Sequence, residues 1–134
     1  MTDISTLGHV SPLFEGFAAN ARERTDQWPY GKSDAKLEIA EGEQEAVHDL
    51  WAAPGGQADL HVWLAKPGRY DVDGKDRPNF FEVTSLMRGA CTVEEPGREP
   101  VDLVAGDTYV MQPGWTGTWV VTDYVEKAFV WVYV

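Results

Sequence analysis

The feature that most constrains this chain is a rhythm that starts at Lys36. From there to Val134, short runs of β-branched and aromatic residues alternate with clusters of turn residues. The runs fall at 36–40, 46–52, 59–65, 80–87, 90–94, 101–103, 108–111, 118–122 and 127–134. Between them stand Glu41-Gly42, Pro54-Gly55-Gly56, Pro67-Gly68, Asp73-Gly74, Pro96-Gly97, Ala105-Gly106 and Gln112-Pro113-Gly114. Glycine supplies the positive φ of a tight turn, and proline ends strand pairing. Short strands at such even spacing predict an all-β sandwich or barrel over 36–134.

Residues 1–35 lack that rhythm. The segment 12–25 predicts a short helix with Phe14 and Phe17 on one side, and Trp28-Pro29-Tyr30-Gly31 reads as an irregular aromatic stretch. Residues 1–35 are therefore expected to form an N-terminal arm that packs on the barrel or on a partner subunit. No linker, repeat or low-complexity segment divides the rest.

The balance of charges excludes some partners. The 134 residues carry a net charge of −11. Such a surface repels nucleic acid and anionic membranes, and it favours solubility. The chain has no apolar run long enough to span a bilayer, and its start lacks the pattern of a signal peptide. The single cysteine, Cys91, permits no internal disulfide, and a cytoplasmic protein is expected.

Strand alternation sorts the side chains into faces. In the run 59–65, Asp59, His61 and Trp63 share one face, and Leu60, Val62 and Leu64 the other. In the last run, Phe129, Trp131 and Tyr133 oppose Ala128, Val130, Val132 and Val134. Both faces there are apolar, so this strand is expected to be buried on both sides, with its aromatics as core. His48 shares a face with Ala46 and Leu50, and His9 lies in the arm.

Two motifs stand at a telling separation. The first is Glu82, six residues, then Gly89; the second is Gly106, five residues, Pro113-x-Gly, then two residues to Gly117. With Ala105-Gly106-Asp107, the run Pro113-Gly114-Trp115-Thr116-Gly117-Thr118-Trp119 and Lys127 opening the last strand, the chain resembles the cupin superfamily. More narrowly, it resembles the ureidoglycine-aminohydrolase branch and the ethanolamine-utilisation cupins. That resemblance implies an antiparallel jelly-roll (cupin) β-barrel over 36–134, with an irregular N-terminal arm.

The departures from the family pattern bear on function. Metal-binding cupins present His-x-His shortly before the motif-one glutamate. Here those places hold Asp76 and Pro78, or Lys75 and Arg77, and the motif-two histidine falls on Gly117. Only Glu82 remains of the expected ligands, with Asp76 as a possible second oxygen. Transition metals prefer imidazole or thiolate, so no metal or other cofactor is expected.

If Glu82 faces inward, as the resemblance implies, then Phe80, Thr84, Leu86 and Arg88 share its face. Trp119 then joins Gly117 inside, either as core or as pocket lining that fills the volume of a metal and its histidine. Glu82 is the leading catalytic candidate, because burial without a cation would raise its pKa. A salt bridge to Arg69 or Arg77 is the alternative. Arg88 is separated from Glu82 by roughly 20 Å of strand and suits the rim. His61 is the second catalytic candidate, a general base or a hydrogen-bonded wall residue. Cys91 is expected to be a buried small apolar residue.

The expected binding pocket thus comprises Trp63, Asp76, Phe80, Thr84 and Trp119 beside Glu82 and His61. The function expected of it is binding of a small polar metabolite, with acid–base chemistry as an extension. A metal-dependent aminohydrolase-like enzyme for a ureido or amine substrate is the alternative, and a scaffold protein a second one. The apolar last strand and the aromatic arm together exceed what one small barrel covers, which predicts a homodimer. Light scattering at tens of micromolar protein is expected to give the mass of two chains; the mass of one would refute it.

Overall fold

A computed structural model describes residues 36–134. The expected arm at 1–35, with its helix, its aromatic stretch and His9, lies outside the described residues. The described part holds seven antiparallel strands in one sheet. They are β1 (Glu45–Ala52), β2 (Ala58–Ala65), β3 (Gly68–Val72), β4 (Phe80–Glu94), β5 (Val101–Val104), β6 (Thr108–Met111) and β7 (Gly117–Tyr133). One 3-10 turn, Gly74–Asp76, stands between β3 and β4. The architecture is the all-β antiparallel jelly roll that the sequence pattern implies. Among the described residues no helix is long and apolar enough to cross a membrane.

Two long strands organise the rest. β4 pairs with β7 from Phe80↔Tyr133 to Glu94↔Thr118. The outer edge of β7 pairs with β2 along 125–132 and with β3 along 117–121. The outer edge of β4 pairs with β6 along Glu82–Ser85 and with β5 along Ala90–Val93. Each long strand therefore serves two halves of the fold, and the bend lies where the register slips between Leu86 and Cys91.

Gly89 makes that bend possible. Its φ is +88°, and a Cβ placed there would lie 1.9 Å from the Tyr124 carbonyl oxygen. The bulge shifts the inward parity of β4. Phe80, Glu82, Thr84 and Leu86 point inward before it, Cys91 and Val93 after it. A bulged residue re-aims every side chain beyond it. Arg88, expected on the Glu82 face, is instead turned outward, with its guanidinium 3.6 Å from Glu126.

Other expectations are corrected by pairing. The run 36–40 forms no strand. The runs 80–87 and 90–94 are one strand, as are 118–122 and 127–134, because the polar stretch 123–126 keeps its partners on β4. β3 forms where only breaks were read; its short alternation puts Tyr70 and Val72 towards the core and Arg69 and Asp71 outward. The last strand is not buried on both sides: Val132, Tyr133 and Val134 are exposed. On β2, by contrast, residues 61–65 are buried on both faces.

The Gly89 bend yields a stability test. Gly89→Ala is expected to cost more than about 2 kcal/mol, because unfavourable φ and a backbone clash add. Gly106→Ala, at φ +100° with nothing within 4 Å of a new Cβ, is expected to cost only about 1 kcal/mol. Urea denaturation of both variants checks this; equal losses would remove the role assigned to the bend.

Candidate functional site

The interior half of the alternation on β4 and β7 meets at Glu82. Its residue surface is 1% exposed, and an unpaired carboxylate at such depth would be very costly. It is not unpaired. Glu82 Oε1 accepts from Arg77 Nη1 at 2.8 Å and from Trp131 Nε1 at 2.9 Å. Oε2 accepts from Lys127 Nζ at 2.9 Å and from Thr84 Oγ1 at 3.1 Å.

Each donor is placed by its strand or turn. Lys127, Phe129 and Trp131 occupy alternate inward positions of β7, and Trp131 lies directly across the ladder from Glu82. Arg77 follows the 3-10 turn, which is capped by Asp73 and held against the 112–116 loop. Gly114 N–H donates to the Arg77 carbonyl at 2.8 Å, and Gly74 N–H donates to Thr116 Oγ1 at 3.0 Å.

Lys127 sits in an aromatic socket. Its Nζ lies 3.9 Å from the ring centre of Trp119 and 5.0 Å from those of Trp63 and Phe129. Desolvated cation–π contacts of this kind contribute about 2 kcal/mol. Burial pushes the Lys127 ammonium below its ordinary pKa, against the opposing pull of Glu82. Burial alone would raise the Glu82 carboxyl, but Lys127, Trp131 and Arg77 together hold it below the usual carboxylate value. The expectation of a raised, acid-like Glu82 is therefore reversed.

The ion pair forms one wall of a cavity of about 460 Å³. Trp63, Trp119, Phe129 and Trp131 supply its aromatic surface; Arg69, Tyr70, Asp71 and Val72 of β3 supply the opposite rim, with Glu45, Val47 and Arg77. Trp119 is almost fully buried, and its Nε1–H has no acceptor among the described residues.

The expected pocket residues are thus only partly brought together. Glu82, Trp63 and Trp119 line the cavity. Thr84 is buried behind it and serves only to bond Glu82, and Phe80 stacks on the far side of Trp131 with ring centres 4.4 Å apart. Asp76 is exposed in the 3-10 turn and is not at the cavity. His61 also lies off the cavity. Its Nδ1 pairs with Asp49 at 2.7 Å, and its ring packs behind the cavity on Phe129 and Trp131, with no bond to Glu82. Burial pushes the Cys91 thiol up to about 11, which makes it inert as a nucleophile.

Sequence reasoning missed Lys127, Trp131 and β3. The signal for the first was present: the alternation of Trp131 and Phe129 extends back by two residues to Lys127. Trp131 was assigned to core because an indole alone does not reveal a buried acceptor.

A transition metal does not fit this donor set. Both Glu82 oxygens already accept from cations, and two positive groups beside them oppose a third. At Gly117 a side chain has no room, since a Cβ would lie 2.4 Å from the Glu94 carbonyl oxygen and 2.5 Å from the Trp115 ring. The indole that fills the place of a motif-two ligand is thus Trp115, not Trp119. Among the described residues no group of three His, Cys, Asp or Glu side chains is arranged to hold a metal ion.

Comparison with known proteins agrees with this architecture. The EutQ-like cupin domain family matches residues 52–129, more than half of the chain. The chain belongs to the EutQ-like cupin family. The cupin shares its fold with the EutQ protein of Clostridium difficile, at 16% identity and TM-score 0.59, over 72% of this chain and 81% of that one. An ethanolamine utilization protein Q of Salmonella typhimurium gives 17% identity and TM-score 0.58, over 74% and 77%. Ectoine synthase of P. lautus gives 16% and 0.60, over 70% and 67%. No curated protein matches in sequence. Relatives so diverse in name share a scaffold, and a shared scaffold does not carry a reaction.

Two tests follow from the buried cluster. Glu82→Gln leaves Lys127 and Arg77 facing a neutral amide and is expected to cost roughly 3–5 kcal/mol. Because the folded carboxyl titrates below its unfolded value, its stabilisation is full above the ordinary carboxylate pKa. It is lost as pH falls through the depressed folded value. Urea midpoints of wild type and Glu82→Gln are therefore expected to converge under acid; a gap that persists would contradict the ion-pair assignment. Elemental analysis after growth in metal-supplemented medium is expected to find less than stoichiometric zinc, manganese, iron or nickel; one tightly held ion per chain would contradict the donor-set argument.

Proposed function

We propose that this cupin binds a small polar metabolite in the cavity between β3 and the Glu82–Lys127 pair, without a transition metal. The observation that carries this reading is the combination of open volume and a fixed ion pair at its wall. A cavity of about 460 Å³ is of the size that holds a small ligand. Aromatic walls would contribute apolar contact, and Lys127 and Arg77 would address an acceptor or a carboxylate.

The ligand class follows from what the socket already holds. A free ammonium group would compete with Lys127 for Trp119 and Trp63, so a purely cationic amine is disfavoured. A carboxylate, amide or ureido oxygen finds donors instead. A scaffold role would suit an interior filled by its own side chains, and the cavity argues against that. Pairing of two chains is proposed as well; exposed apolar residues at and just beyond the end of β7, Val132 at 39% and Val134 at 74% exposed, support it.

Indole fluorescence and thermal shift with a panel of small carboxylates, amides and ureido acids test the binding proposal. A saturable change is expected, since three tryptophans line the cavity. Trp119→Ala is expected to weaken it. A panel that moves neither signal in wild type would leave the cavity without a ligand role.

A further inference from the structure

Lys127 differs from the other cations around the cavity. The Arg69 and Arg77 side chains are 62% and 25% exposed, whereas that of Lys127 is 8% exposed and still forms part of the cavity wall. A buried carboxylate that needs only a permanent counter-charge is served best by arginine, which bonds it with two parallel N–H groups and stays protonated. Lysine in that place brings a primary amine that can give up a proton. Three aromatic rings desolvate the amine, and among the described residues its single hydrogen-bond partner is Glu82 Oε2 at 2.9 Å. An amine whose desolvation among apolar groups, with the Arg77 guanidinium acting in the same direction, outweighs the pull of Glu82 has the surroundings of an activated nucleophile.

We propose that Lys127 condenses reversibly with the carbonyl carbon of a small aldehyde or α-oxo acid held in this cavity, with Glu82 as the proton carrier. The inference rests on the reading of the cavity as a binding site and names the substrate class for it. The Lys127 ammonium passes one proton to Glu82 along their hydrogen bond; Lys127 is the main cation that holds the Glu82 carboxyl low, so the transfer removes that counter-charge as it loads the proton. The freed lone pair attacks the carbonyl carbon as the carbon–oxygen π bond opens, and the oxygen takes a second proton from the nitrogen. Glu82 then returns its proton to the hydroxyl group, which leaves as water while the nitrogen–carbon double bond forms. The product is an iminium ion that keeps one proton on nitrogen and faces an ionised Glu82. Charge is conserved, no oxidant or reductant is needed, and water is the only leaving group. Arg77 bonds Glu82 through Nη1 alone and remains partly exposed, which leaves guanidinium N–H groups for the carboxylate of an α-oxo acid.

Glyoxylate with cyanoborohydride is the probe, since reduction fixes the imine as a carboxymethyl group that peptide mass spectrometry locates. Propanal is the companion without a carboxylate. Lys127 is expected to be labelled faster than Lys36, Lys66 or Lys75, because burial among the three rings holds its amine below the ordinary lysine pKa and so raises its free-amine fraction. Glyoxylate is expected to outpace propanal. Lys127→Arg, which keeps the charge and the pairing, is expected to abolish the selective label at an unchanged melting temperature. Should that variant fail to fold, the selectivity among lysines in wild type still decides. Calorimetry of glyoxylate binding without reductant separates the two readings. Binding heat with no preference for Lys127 would overturn the condensation and leave the pocket. Neither heat nor selective label, with either probe, would overturn both.

Discussion

Everything around the cavity depends on one buried carboxylate. Glu82 is cut off from water, so its charge must be met by protein, and the protein meets it from two directions in the fold. Lys127 and Trp131 come from the neighbouring strand, and Arg77 comes from the 3-10 turn that precedes β4. These contacts tie the centre of β7 and the entry to β4 to a single point. Such an ion pair adds little to net stability when its own desolvation is counted, yet losing either partner leaves a stranded charge. Its effect is to specify an arrangement more than to strengthen it.

The bent β4–β7 ribbon makes that arrangement reach both halves of the sheet. Because each strand pairs with a different neighbour before and after the bend, residues far apart in sequence arrive at one wall. Trp119 from the early half of β7 and Trp63 from β2 close over Lys127 from the late half. The bulge at Gly89 sets how much of β4 joins them. Before it the inward positions carry Glu82 and Thr84; after it they carry Cys91 and Val93, which belong to the apolar core. Polar chemistry is thus confined to one side of the bend.

The same ion pair explains how Glu82 can be buried although the histidines that the motif spacing led one to expect beside it are missing. A carboxylate retained from a metal-binding pattern would be an unpaired buried anion if the other ligands were merely deleted. Here an ammonium ion and a guanidinium ion replace the cation, and Trp115 packs against Gly117 where a ligand side chain would project. The charge of Glu82 is thus met by an ammonium and a guanidinium of the chain itself.

Much of this was legible in the chain itself. Period-two runs between glycine and proline clusters determine an antiparallel all-β fold, since each rule involved is local. The motif spacing singled out Glu82, and alternation combined with the cupin resemblance put Trp119 inside and grouped Trp63 with His61 on one face. Three things were decided only in three dimensions. The bulge at Gly89 reversed the outlook of Arg88, because a register slip depends on the partner strand. β3 formed from a short, half-charged segment, because the edge of β7 offered it hydrogen bonds. Lys127 became the counter-ion of Glu82 across 45 residues of sequence, because strand pairing set them side by side. Alternation tells which side chains share a face, but the charge and pKa of a buried group depend on what faces it, and that is a property of the packed fold.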